Sequence, residues 1–178
     1  VAGRSLDKAA AFCAGREGLS PLACDRAQVA EAIAVHAPWL VIDASGPFQA
    51  MDHTVPRACI AAGVAYCDIA DGSDFVCGIG ALDAAAKAAG VPIIAGASSV
   101  PALSGAVVRA LADGMMRVDA VEMAISASNR ASAGPAVVAA VLSQIGQAFV
   151  RGDGPGAERL YGWQSARRLT FRVAGARA

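Results

Sequence analysis

Trp39-Leu40-Val41-Ile42-Asp43-Ala44-Ser45-Gly46-Pro47-Phe48 decides how the rest of the chain is read. Its first four residues are apolar, too few for a helix and rich in strand formers, so they predict a strand buried on both faces. After Asp43 the run breaks into Ala44-Ser45-Gly46-Pro47. Small residues there let another group approach the backbone closely, and Gly-Pro ends the strand. In an open α/β sheet, ligands sit just beyond strand ends of this kind.

On the amino-terminal side, residues 1–3 read as the end of a strand. Ser5 is the expected N-cap of a helix over 6–14, residues 19–24 form a short strand, and 27–37 form a helix closed by Pro38. On the other side, Asp52 or Thr54 caps a helix to about Ala62, with Gly63 beyond its end. A strand over 64–69 breaks at Asp71-Gly72-Ser73. A helix covers 82–89, reaching back toward Phe75, and a strand over 91–95 closes on Gly96-Ala97-Ser98-Ser99. Val100-Pro101 opens a helix over 102–112. Strand–helix alternation with short returns predicts a mainly parallel sheet with helices on both faces, doubly wound by right-handed crossovers.

The texture changes after Gly114. Residues 118–126 alternate like a strand with one wetter face. A polar loop over 128–134, a helix over 135–149, a turn over 151–156 and a strand over 169–173 follow. A boundary near Arg117 therefore divides the chain into 1–116 and 117–178, the second a partial α+β unit too small to close a core alone.

Composition narrows the function classes. The chain is 56% hydrophobic, yet no uninterrupted apolar run approaches the roughly 20 residues that span a bilayer, so no membrane partner is expected. A formal net charge of zero gives no electrostatic footprint for nucleic acid, and with this hydrophobicity it points to a homo-oligomer. Five cysteines, an odd number with no Cys-x-x-Cys and no signal peptide, indicate reduced thiols and a cytoplasmic protein. No metal-ligand spacing is present.

Three ordered segments become specific together: Ala44-Ser45-Gly46-Pro47-Phe48, residues 57–70 (RACIAAGVAYCDIA) and residues 82–91 (LDAAAKAAGV). In this series the chain resembles the saccharopine dehydrogenase-like family over nearly all of residues 1–112. The resemblance implies a truncated Rossmann-type NAD(P)-binding domain followed by part of a second domain. It also implies that the first strand, its Gly-rich phosphate loop and the next helix are missing here. The chain by itself is then expected to be inactive and to bind dinucleotide poorly.

Several residues are expected to contact the cofactor. Arg4 and Ser5 lie in what the resemblance makes the turn after the family's second strand, where an acidic residue would hold the ribose of NAD and an arginine accommodates the 2′-phosphate of NADP. Their pairing without Asp or Glu favours NADP over NAD; otherwise Arg4 is a solvated cation beside a cap. Asp25 either accepts from the adenine edge or caps the next helix. Gly46 admits the backbone, Ser45 can donate, and Phe48 can wall the site, with Ala44 and Pro47 between them. Asp68, near Tyr66, Cys67 and Asp71, either orients a ligand or serves as a loop carboxylate. Gly96 closes the last strand near the nicotinamide in family terms. The Ser98-Ser99-Val100-Pro101-Ala102 run departs from the Gly-x-x-Pro-Gly of some members. His53 is either a general acid or base or a solvent-facing first-turn residue. Asn129 and Arg130 are candidates for a substrate carboxylate. The function implied is hydride transfer between NADP (or NAD) and an amino-acid-like small molecule; the alternative is a non-catalytic nucleotide-binding or dimerising scaffold.

Overall fold

The computed structural model describes residues 1–125, 134–152 and 154–164. The chain divides into two compact units, Val1–Ser132 and Ala133–Ala178. The first unit thus runs past the boundary expected near Arg117.

The first unit alternates strand and helix: β1 (Ala2–Gly3), α1 (Leu6–Cys13), β2 (Leu22–Ala23), a 3₁₀ turn (Arg26–Gln28), α2 (Val29–His36), β3 (Leu40–Asp43), α3 (Thr54–Ala62), β4 (Ala65–Asp68), α4 (Ser73–Gly78), a second 3₁₀ turn (Ile79–Leu82), α5 (Asp83–Ala89), β5 (Ile93–Ile94) and α6 (Ser104–Leu111). The helix ends follow local chemistry. The Ser5 hydroxyl accepts from the Lys8 amide at 3.3 Å. Asp25 and Gln28 form a reciprocal capping box, with Asp25 accepting from the Ala27 amide at 3.0 Å. Gly63 and Gly90 close α3 and α5 with φ of 69° and 67°, a left-handed conformation that costs glycine little.

β1 pairs with β2, and β3, β4 and β5 pair in that order; every pairing is parallel. α1 packs on β1 and β2, whereas α2 packs on α3, and α3 on β4 and α5. The parallel strands therefore form two separately hydrogen-bonded sheets, β1–β2 and β3–β4–β5. β1 and β3 are not hydrogen-bonded to each other.

The core forms where register meets helix. Val41, Tyr66 and Ile93 are neighbours across the three-stranded sheet, and Ile33 of α2 with Val55 and Cys59 of α3 packs over them. Ile42 and Ile94 point to the other face and are 66% and 53% exposed. β3 is therefore not buried on both faces as its apolar run predicted, because the helices packed on this sheet lie on the Val41 side.

Other differences have similarly local causes. The strands expected over 19–24 and 91–95 shrink to two residues each, Leu22–Ala23 laddering with β1 and Ile93–Ile94 with β4 over those residues alone. The helix expected to reach back from 89 toward Phe75 is interrupted at Ile79–Leu82, beside Gly78 and Gly80, both poor helix formers. Residues 118–125 alternate but form no strand with any described residue. In the second unit, α7 (Pro135–Ser143) ends short of the expected 149, and β6 (Ala148–Arg151) pairs antiparallel with β7 (Glu158–Tyr161) around the expected turn. The strand expected over 169–173 lies outside the described residues. No described helix is long and apolar enough to cross a membrane.

The core makes the first unit sensitive to alkali. Burial pushes the Cys59 thiol up from 9.0 to about 11 and, helped by the neighbouring Asp68, raises the Tyr66 phenol above its ordinary 10.0. The unfolded chain releases these protons first, so their contribution is intact below pH 9 and is lost as pH rises toward 11. The slope is up to about 1.4 kcal/mol per pH unit for each group ionised only when unfolded. Urea melts between pH 8 and 11 should show this fall, and Cys59→Ala should make it shallower. A profile flat to pH 11 would contradict the assignment.

Candidate functional site

Each strand of the first unit is followed by a helix that returns the chain, so the turns after the five strands emerge on one rim. Two buried carboxylates organise it. Asp43, at the end of β3, is 6% exposed. Its Oδ1 accepts from the Ser45 amide at 2.9 Å and the Ser45 hydroxyl at 2.6 Å, and its Oδ2 pairs with Arg26 Nη1 at 2.8 Å. The Arg26 guanidinium also reaches Ser45 Oγ at 3.4 Å and donates to the Asp52 carbonyl at 3.0 Å. The segment leaving β2 is thereby tied to the end of β3.

Asp68 is the register partner of Asp43 on β4 and is wholly buried. Its Oδ1 accepts from the Ala70 amide at 2.9 Å and the Gly96 amide at 2.7 Å, and its carbonyl accepts from the Ala97 amide at 2.8 Å. The end of β4 thus holds the turn after β5. The Asp68 Oδ2 and the Tyr66 hydroxyl, both buried, have no hydrogen-bond partner among the described residues.

The loop after β3 is anchored by its last side chain. Phe48 is 4% exposed and packs with Ala70 and Phe75, the two rings 5.1 Å apart. Gly72 passes so close that a Cβ there would lie 3.1 Å from the Phe48 carbonyl oxygen. Gly96 has φ of 75°, and a Cβ on it would come within 2.8 Å of Pro101 Cγ. Both turns are therefore packed against their neighbours at backbone level.

Each expected cofactor residue lies at the end of a strand or in the turn beyond it, and several of them have other work. Arg4 and Ser5 line a cavity of about 560 Å³ with Val1, Lys8 and Phe12. Asp25 is exposed, with its carboxylate engaged in capping. Three expectations are corrected. The Ser45 hydroxyl already donates to Asp43, so it is not a free donor. Phe48 is an anchor inside the fold, not a wall of the site, because Ala70 and Phe75 enclose its ring. Asp68 has no exposed surface, and its bonds to backbone amides make it a support for Gly96. Ala44, Ser45 and Pro47 are exposed and Gly46 is half-buried, so these four residues form the accessible part of the loop. His53 Nε2 lies 2.8 Å from the Phe75 carbonyl, with its ring 4.6 Å from the Phe75 ring, so it braces α4. Asn129 and Arg130 lie outside the described residues.

Two rim residues escaped the sequence reading. Lys8 stands one helical turn after Arg4 and lines the same cavity, a relation that i, i+4 spacing could have revealed. Arg26 sits beside the capping Asp25, and its partner Asp43 is 17 residues away, a distance no local pattern encodes.

The family model described as "Saccharopine dehydrogenase NADP binding domain" matches residues 1–94, more than half of the chain. No curated protein matches it.

The packing of the two turns yields a direct test. Phe48→Ala should cost about 3–5 kcal/mol of stability through the void it leaves. Gly96→Ala should cost at least about 1–3 kcal/mol through its backbone conformation, with the Pro101 clash in addition. Chemical denaturation of both variants measures this, and near-wild-type midpoints would mean that neither turn is held as described.

Proposed function

The chain belongs to the saccharopine dehydrogenase NADP-binding family, an NAD(P)-dependent oxidoreductase family, and on that premise we propose that the rim described above is where the cofactor lies. The observation that carries the reading is that the Arg26–Asp43 and Asp68–Gly96 bonds tie the turns after β2 and β3 and after β4 and β5, with β1 running parallel beside β2. A dinucleotide is long and needs several strand ends in line.

The donor set fits NADP. Arg4 and Lys8 bring two cations to a cavity at the capped start of α1, a setting suited to a phosphate on the adenosine ribose. Ala44, Gly46 and Pro47 offer a low, side-chain-poor surface over which the middle of the cofactor can pass. Gly96, held by Asp68, fixes the turn at the far end. When bound, NADP(H) supplies the hydride chemistry at its nicotinamide ring. The residues of this unit hold and orient it.

We assign the substrate to the amino-acid-like class, with transfer to or from a C–N or carbonyl carbon, on the strength of the family relationship. His53 Nε2, both oxygens of Asp43 and Oδ1 of Asp68 are committed to structural bonds. We infer that the acid or base for the reaction comes from other residues. That commitment also favours a second reading, a nucleotide-binding scaffold without catalysis.

Fluorescence titration of the intact protein should give tighter binding of NADPH than of NADH. Arg4→Ala and Lys8→Ala should each erode that preference by roughly tenfold, the equivalent of one charge-assisted contact. Nicotinamide absorbance with amino-acid and oxo-acid substrates then separates an enzyme from a scaffold. Equal affinity for the two cofactors, unchanged in both variants, would remove the case for this cavity as the phosphate site.

A further inference from the structure

We propose that Arg26 is a positioning residue for the cofactor, acting through Asp43 to hold the 44–48 loop in its binding form. The proposal rests on the dinucleotide reading above and adds a residue and a mode of action to it.

The argument starts from the bonding of Asp43. A buried carboxylate needs its oxygens filled, and here one is filled by Ser45 and the other by Arg26. Ser45 therefore holds its place only while Asp43 keeps its orientation. Arg26 fixes that orientation from outside the loop, and it does so from two sides, because its second nitrogen is bound to the Asp52 carbonyl just before α3. The guanidinium thus spans both ends of the segment between β3 and α3. The far end of the loop has its own anchor in Phe48. Between Ser45 and Phe48 lie only Gly46, half-buried, and Pro47, exposed. A planar fork with several donors suits this bridging; an ammonium at the same place carries the charge but cannot keep all three bonds.

The test uses the intact protein with Arg26→Gln and Arg26→Lys. Each is titrated with NADPH and, separately, with adenosine 2′,5′-bisphosphate, which engages the Arg4–Lys8 end and does not reach the loop. Circular dichroism and thermal melts establish the folded fraction. Positioning predicts that Arg26→Gln weakens NADPH at least tenfold, changes the bisphosphate less than twofold, and that Arg26→Lys recovers part of the loss. If the two ligands weaken in parallel, or fall only with the folded fraction, Arg26 is a stabilising residue and the proposal is overturned. Wild-type affinity in both variants would also overturn it, while leaving the dinucleotide reading in place. A wild type that binds the bisphosphate and NADPH not at all would overturn both.

Discussion

Two acidic side chains inside the protein, Asp43 and Asp68, stand side by side at the ends of adjacent strands, and the working rim depends on them. A parallel sheet delivers all its outgoing turns to one edge, where backbone amides have left the ladder and need new partners. Asp43 serves Ser45, and Asp68 serves Ala70 and Gly96. Burial makes each bond matter, since a carboxylate taken out of water must be matched by donors. Asp43 is matched by a cation and by Ser45, and Asp68 at Oδ1 by two amides. The same bonds that offset desolvation therefore dictate where the turns lie.

This arrangement explains why so little of the rim is chemically free. Ser45, Phe48, Asp68 and His53 look functional as isolated letters, yet each is consumed in fixing backbone. What the rim presents instead is small or backbone surface at Ala44, Gly46 and Pro47, and paired cations at Arg4 and Lys8. Such a surface is suited to holding a long, phosphate-bearing cofactor and ill suited to moving protons. That division of labour agrees with the general pattern in which a cofactor carries the chemistry and the protein orients it.

The alternation of strand and helix was legible in the chain because helix ends are written locally: Ser5, Asp25, Gly63 and Gly90 each do what their residue type favours. Strand length and exposure were not, because they depend on neighbours. Leu22–Ala23 and Ile93–Ile94 are only as long as the ladders they form with β1 and β4, and Ile42 is exposed because the packed helices lie on the opposite face. At the site, the Gly46 and Gly96 turns were found from composition. Arg26 was missed because its meaning lies in a partner far along the chain, and Phe48 was misread because a buried ring and a pocket wall share one sequence signature.

The most direct measurement is a crystal structure of the intact protein with NADPH bound. The cofactor should run along the rim from the Arg4–Lys8 cavity, across Gly46 and Pro47, to the turn at Gly96, with Arg26 still paired to Asp43. Density for the cofactor away from these turns, or an Arg26 that has left Asp43 while the loop keeps its shape, would contradict the central claim.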